Sequence, residues 1–206
     1  KYYVEFGAID GFRDCNTFYF RENEEWTGLL LESGKWFPVA PNDEINLKIE
    51  TVSKDNINSI FKKYNVPYEF DLLSVDIDSF DYWVTKEILT QYSPRVVMVE
   101  VNVRFEPTES WRLKDDPNWD WNGTKWYGAS PMAYKKMFND AGYTPVYTHV
   151  DDLIAVRNDV LKENGFSEPE WNYVYPHSNV SLYNTHNMGG TQELVTELNL
   201  DEWEEV

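Results

Sequence analysis

Near its N-terminus the chain reads Val4-Glu5-Phe6-Gly7-Ala8-Ile9-Asp10-Gly11, an apolar run followed by a turn with two glycines. The run predicts a strand from Tyr2 to Phe6 that ends at Gly7. Glycine at a strand end lets the backbone turn sharply and removes the Cβ that would keep a ligand away. In an open α/β sheet, ligands bind at the carboxyl ends of the strands, so this turn is a candidate ligand site.

Short apolar runs alternate with helix-like segments through the first two-thirds of the chain. The patterns predict strands at 2–6, 27–31, 45–52, 70–75 and 96–99, and helices at 14–23, 54–64 and 81–89. Ser130-Pro131 predicts the start of another helix and Gly142 its end. Two later runs, 145–147 and 153–156, predict an antiparallel edge hairpin. The alternation favours an α/β fold with a mostly parallel sheet and helices on both faces.

The length of 206 residues suits one substantial domain, which we expect to cover residues 1–158. Within it, residues 103–128 form a long Trp-rich segment, typical of a lid or binding loop. Residues 159–206 are predicted to be a C-terminal tail packed on the domain. A short helix is expected there from Gln192 to Leu198.

The composition excludes several classes of protein. A net charge of −18 argues against broad contact with nucleic-acid phosphates, and we expect a small-molecule partner instead. No apolar stretch is long enough for a membrane span. Cys15 is the only cysteine, so an internal disulfide and a multi-cysteine zinc site are excluded. A reducing compartment fits this pattern, and we expect a cytoplasmic location.

A second acidic residue, Glu32, ends the predicted strand Gly28-Leu29-Leu30-Leu31-Glu32. A carboxylate at this place can accept hydrogen bonds from both hydroxyls of a ribose. Such a residue is often only part of a loop. Its combination with Glu5-x-Gly7-x-x-x-Gly11, at the spacing of a βαβ unit, favours a nucleoside site.

Three carboxylates follow the strand that ends at Val75: Asp76, Asp78 and Asp81. If the strand continues, Asp76 and Asp78 point to the same side, and their repulsion would favour a shared cation or proton. Oxygen-rich clusters suit Mg²⁺ or Mn²⁺, so the three are candidate metal ligands. The alternative is that Asp78 or Ser79 caps the next helix and that Asp81 strengthens its first turn.

Two further polar residues, Glu100 and Asn102, end the run Val96-Val97-Met98-Val99. They are candidates for orienting a substrate, although a hydrogen bond that closes the loop would explain them equally well. The three histidines show no metal-ligand spacing, and no Ser-His-Asp arrangement can be seen.

As a set, these motifs resemble the FkbM-type branch of the class I S-adenosylmethionine-dependent methyltransferases. The likeness extends from about residue 2 to residue 158, in order and spacing. The segments that carry it are 4–11, Asn16-Thr17, 26–32, 71–78, Asp81-Tyr82, 94–100 and Ala141-Gly142-Tyr143.

The resemblance implies a Rossmann-like sheet that binds S-adenosylmethionine and transfers a methyl group to an oxygen, often of a sugar or polyketide-like acceptor. Gly7 and Gly11 would flank the methionine part, Glu32 would bind the ribose, and Asp76 would lie near the methyl donor. The residues expected to bind the cofactor are Glu5, Gly7, Ala8, Asp10, Gly11, Asn16, Glu32 and Asp76.

For the reaction, we expect Asp76 or Asp78 to help remove the acceptor's proton, unless a divalent cation lowers the pKa of the hydroxyl instead. Trp111 and Trp126 are expected to stack on the acceptor.

The chain departs from the family in two places. Few residues separate Glu32 from Ile45, and Gly34, Pro38 and Pro41 discourage the helix that normally helps to build the adenine pocket. Ser79 stands where related chains often have glycine. Two other functions therefore stay open: a metal-dependent nucleotide-sugar glycosyltransferase that uses Asp76-Ile77-Asp78, and a non-catalytic binding module that has lost the cofactor.

Overall fold

The computed structural model describes residues 1–116, 118–119, 121, 126–176 and 198–206. The chain divides into two compact units. The first comprises Lys1–Ile77 and Trp83–Val99, and the second comprises Asp78–Tyr82 and Glu100–Val206. Residues 159–176 and 198–206, which belong to the predicted C-terminal tail, are in the same unit as the residues from Glu100 onward.

The first unit is built on parallel strands joined mostly by helices. Its strands are β1 (Tyr2–Phe6), β2 (Thr27–Glu32), β3 (Leu47–Ile49), β4 (Leu72–Val75) and β5 (Val96–Glu100, whose last residue falls in the second unit). Its helices are α1 (Phe18–Glu24), α2 (Ile57–Lys63) and α3 (Asp81–Gln91, whose first two residues are assigned to the second unit).

These strands pair in the order β3-β2-β1-β4-β5, and every pairing is parallel. The sequence order reverses at β1, which lies between β2 and β4. Such a reversal marks the place where the carboxyl ends of the strands leave a crevice for a ligand in doubly wound sheets. The strand ends that matter for function are therefore those of β1, β2 and β4.

The second unit contains a hairpin and a small separate sheet. Its elements are β6 (Trp111–Leu113), α4 (Pro131–Asp140), β7 (Tyr143–His149), β8 (Asp152–Arg157), α5 (Asn158–Glu163), α6 (Trp171–Val174) and β9 (Trp203–Glu205). Strands β7 and β8 pair antiparallel, as do β6 and β9. The end of the predicted tail thus adds a strand to the Trp-rich segment.

The predicted fold class is confirmed: within the described residues the sheet is mostly parallel, with helices between its strands, and the antiparallel β7–β8 hairpin is present. The start predicted for α4 is also confirmed, because Ser130 Oγ accepts the Ala133 N–H at 3.2 Å and Pro131 occupies the first turn. Within the described residues, no helix combines the length and apolar character needed to cross a membrane.

The boundaries of several elements differ from the predictions. Helix α1 begins at Phe18 rather than Asp14, since the residues before it form a loop. Strand β3 covers three residues of the predicted eight. Helix α2 begins at Ile57 rather than Lys54; the Asn56 side chain before it accepts the N–H of Ser53 and donates to the carbonyl of Thr51, and so closes the preceding loop. The helix predicted at 192–198 lies almost wholly outside the described residues.

Candidate cofactor site at the ends of strands β1 and β2

The turn after β1 is built from three residues with positive φ: Gly7 at 70°, Ile9 at 49° and Gly11 at 80°. At Gly7 a Cβ would lie 2.0 Å from the backbone oxygen of Asp76, so only glycine allows the β1 and β4 strand ends to approach this closely. A Cβ on Gly11 would lie 2.6 Å from the side chain of Ile45 and 2.9 Å from that of Leu30. The predicted need for glycine is thus explained at both positions.

Ile9 is strained, because a β-branched residue rarely adopts the left-handed conformation. Its N–H donates to Glu32 Oε2 at 3.1 Å, which holds the residue in this conformation. Next to it, Ala8 is fully buried, its N–H donates to the Leu31 carbonyl, and its own carbonyl accepts the Gly11 N–H. Backbone strain held by surrounding contacts is typical of functional turns.

Glu32 ends β2 as a buried carboxylate, 6% exposed. Oε1 accepts from Gly34 N–H at 3.0 Å and from the Ser33 hydroxyl at 3.2 Å, whereas Oε2 accepts only Ile9 N–H within the described part of the chain. A carboxylate has roughly four acceptor positions, so Oε2 keeps capacity for another donor. This is the chemistry that a ribose hydroxyl requires, and the residues present therefore fit a nucleoside.

Asp10 organises the exposed part of the turn. Its Oδ1 accepts the N–H groups of Phe12 and Arg13 at 3.0 and 2.9 Å, and Oδ2 accepts from the Arg13 side chain. These bonds, first of all the one from the Arg13 N–H, lower the pKa of Asp10 to about 2. The predicted cofactor residue is thus already engaged in shaping residues 10–13.

Glu5 holds the loop that precedes α1. This carboxylate, 1% exposed, accepts the N–H of Asn16 at 2.7 Å, the N–H of Thr17 at 2.9 Å, the Thr17 hydroxyl and the Cys15 thiol. Three of these donors go to Oε2 and one goes to Oε1. Glu5 therefore supports the loop beside the site, and the ligand-binding role predicted for it stays a prediction.

Asn16 and Cys15 lie on the loop that Glu5 holds. Asn16 is exposed, and its side-chain amide donates to Ser74 Oγ of β4 at 3.2 Å, which brings it to the strand ends where the order reverses. Burial, and then the nearby Glu5 charge, raise the pKa of the Cys15 thiol to about 11, so it stays protonated near neutrality. Asn16 thus remains a candidate contact for a ligand, whereas Cys15 is inert.

The segment between Glu32 and β3 has no helix, as its glycine and prolines predict. Its first residues are held at Glu32 through Gly34, while Trp36 and Phe37 are 54% and 52% exposed. The Glu50 N–H, just after β3, donates to the Glu32 carbonyl at 2.9 Å. The region expected to face adenine is therefore a short loop with exposed aromatic residues.

The acidic residues after β4 separate into two groups. Asp78 and Glu100, both in the second unit, have carboxylate oxygens within 4.8 Å of each other. Asp81 is not in this set; it is buried and accepts the Ser79 N–H at 2.9 Å at the start of α3. Asp81 thus lies in the first turn of α3, as the alternative interpretation predicts, and Glu100 is a further candidate metal ligand beside Asp78.

The predicted substrate residues of the second unit have packing partners. Asn102 is buried; its amide donates to the Tyr127 carbonyl and its oxygen accepts the Arg104 N–H, both at 3.2 Å, as the loop-closing alternative requires. Trp126 stands 5.4 Å from Phe105 between ring centroids. Trp111 is half-buried against the cluster of Phe105, Leu113 and Trp203. Whether either tryptophan contacts an acceptor stays a prediction.

Sequence reasoning missed Arg21 and Ser74. Ser74 faces Asn16, but a serine within a buried strand has no pattern that distinguishes it. Arg21 Nη2 donates to the Gly11 carbonyl at 2.6 Å. Arg21 lies one helical turn after Thr17, the residue before α1. The sequence could point to Arg21 as a neighbour of the glycine turn only if the start of α1 were already known.

Comparison with known proteins gives limited similarity. No family model matches the chain, and no curated protein matches it. An O-methyltransferase family protein from Burkholderia thailandensis aligns with a TM-score of 0.44 and 11% identity, over 76% of this chain and 51% of that one. TnmH aligns with a TM-score of 0.42 and 11% identity, over 76% and 49%. The chain thus spans about half the length of these structures, and likeness at this level leaves the function to be argued from the site.

Proposed function

We propose that the chain binds S-adenosylmethionine and catalyses transfer of its methyl group to an oxygen of a small hydroxylated acceptor, such as a sugar. The observation that carries this proposal is the buried Glu32 carboxylate, which is fixed by Ile9 and Gly34 and still has acceptor capacity at Oε2. It stands beside a glycine turn at the point where the strand order reverses, which is where doubly wound sheets bind nucleotides.

Each part of the site would have its own task. Glu32 would accept a ribose hydroxyl, and the Gly7–Gly11 turn would lie along the amino-acid part of the cofactor. Because Ile9 links the two, one hydrogen bond keeps them in register. Preset geometry of this kind lowers the entropy lost on binding and aligns the reacting groups.

The bound cofactor would supply an electrophilic methyl group on a sulfonium. The acceptor oxygen would form the new C–O bond as the C–S bond breaks, and its proton would pass to a carboxylate. Asp76 and Asp78 are the candidates for that base, since both follow β4, and the backbone of Asp76 lies against Gly7. The products would be the methylated acceptor and S-adenosylhomocysteine.

The experiment is a thermal-shift titration of the chain with S-adenosylmethionine, S-adenosylhomocysteine and a panel of sugar nucleotides, each with and without Mg²⁺ or Mn²⁺. The proposal predicts a rise in unfolding temperature with the two adenosyl ligands that does not depend on metal. A rise with sugar nucleotides that requires Mn²⁺ would favour the glycosyltransferase alternative. No rise with any ligand would favour the non-catalytic module.

A further inference from the structure

A second side chain besides Glu32 holds the glycine turn. Arg21, on α1, donates from Nη2 to the Gly11 carbonyl at 2.6 Å, and its side chain is only 11% exposed. The turn is therefore anchored at two places: at Ile9 by a carboxylate from the end of β2, and at Gly11 by a guanidinium from α1.

Two aromatic rings hold the guanidinium in place. Its central carbon lies 5.2 Å from the ring centroid of Phe12 and 5.5 Å from that of Phe18, and the two rings are 6.1 Å apart. Cation–π contacts of this kind favour a fixed orientation of the planar group. Phe12 directly follows Gly11, so Arg21 contacts the turn twice: at the backbone carbonyl of Gly11 and at the side chain of Phe12.

The contacts require arginine rather than any cation. Nη2 donates to the Gly11 carbonyl while Nε donates to Glu22 Oε1 at 3.0 Å, and the central carbon lies over the two rings. A lysine ammonium can reach one acceptor but cannot offer separate donors on a rigid, flat frame.

We propose that Arg21 is a positioning residue, which presets the Gly7–Gly11 turn for the amino-acid part of S-adenosylmethionine without touching the cofactor. The inference rests on the proposed function, in which this turn lies along the methionyl group and Glu32 binds the ribose. Removing Arg21 should therefore weaken recognition of the amino-acid part and leave recognition of the nucleoside unchanged, because the Glu32 contacts do not involve it.

The test compares two ligands by calorimetry: S-adenosylhomocysteine and 5′-methylthioadenosine, which lacks the amino-acid part. For Arg21→Met, the Kd of S-adenosylhomocysteine should rise about tenfold, because a turn released by the loss of the bond to Gly11 must be ordered again on binding, while that of methylthioadenosine changes less than about twofold. Arg21→Lys should show a smaller loss with the same selectivity.

Arg13→Met is the matched control, because Arg13 lies in the same loop, is 76% exposed and pairs with Asp10. It should leave both affinities within about twofold of the wild type. If Arg21→Met does not fold, Arg21→Lys replaces it in the test: the inference requires that its Kd for S-adenosylhomocysteine rise more than its Kd for methylthioadenosine.

Two outcomes would overturn the inference: equal losses for both ligands, which indicate a purely structural residue, or no loss for either. A wild-type chain that binds neither ligand would instead reject the proposed function, and this inference with it.

Discussion

The Glu32 carboxylate accepts the Ile9 N–H at 3.1 Å, and this bond ties the end of β2 to the turn after β1. Ile9 has a φ of 49°, a conformation that a β-branched residue holds only under constraint. The hydrogen bond supplies that constraint, and the carboxylate that makes it is also the one proposed to bind ribose. Glu32 would therefore link the conformation of the turn at Ile9 to the position of the bound nucleoside.

The close approach of Gly7 to Asp76 predicts a large cost for Gly7→Ala. The left-handed conformation alone costs about 1–2 kcal/mol, and a Cβ 2.0 Å from the Asp76 oxygen adds a steric penalty that brings the total above about 3 kcal/mol. Gly34→Ala is the control, since its φ is also 70° but its nearest contact would be an ordinary 3.5 Å. Urea unfolding measures both; equal losses would contradict the packing described at Gly7.

The four donors around Glu5 predict that Glu5→Gln destabilises the loop before α1. An amide in place of the carboxylate turns a donor toward the N–H of either Asn16 or Thr17 and should lower the free energy of unfolding by about 2–3 kcal/mol. Glu24→Gln on exposed α1 should change it by less than about 0.5 kcal/mol. Hydrogen exchange at the Asn16 and Thr17 amides should accelerate in Glu5→Gln alone; unchanged protection there would argue against the network.

The raised pKa of Cys15 predicts that its thiol is alkylated slowly. With a pKa of about 11, the thiolate fraction at pH 8 is about a hundredfold smaller than that of an ordinary cysteine. Alkylation by iodoacetamide should therefore be slower by about this factor in the folded chain than in the same chain in concentrated urea. Similar rates in the two conditions would show that burial and the Glu5 charge do not hold the thiol protonated.

The bonds to Asp10 predict an acid-sensitive turn. Its pKa is about 2 in the folded chain and should be near its ordinary value when unfolded, so the bonds stabilise the fold above about pH 4, and that stabilisation is lost as the pH falls toward 2. Carboxyl ¹³C chemical shifts of Asp10 should titrate with a midpoint near 2. A midpoint close to that of a free aspartate would mean that the 10–13 loop does not form in solution.

Local patterns were sufficient for much of the fold. Strand β1, the Ser130-Pro131 start of α4 and the β7–β8 hairpin follow from apolar runs and turn residues that lie next to one another in the sequence. The glycine turn and Glu32 could be recognised because their spacing is that of a βαβ unit.

Other features depend on partners far apart in the chain and could not be predicted from local patterns. Helix α1 begins late because Glu5, eleven residues before Asn16, competes for the backbone N–H groups of the loop. Strand β9 forms because Trp203–Glu205 finds a partner about ninety residues earlier in β6. Glu100 joins Asp78 in place of Asp81 for the same reason: the strand ends meet in space, not in sequence.

The most direct test of the account is the Kd of S-adenosylhomocysteine, measured by calorimetry for the wild type, Glu32→Gln and Glu50→Gln. Glu50 is the control, because its carboxylate binds Lys63 and Tyr64 and not the glycine turn. We expect measurable binding in the wild type, a Kd about 10–100-fold higher in Glu32→Gln, and no change beyond about twofold in Glu50→Gln. Binding that is equally strong in Glu32→Gln, or absent from the wild type, would contradict the assignment of this site.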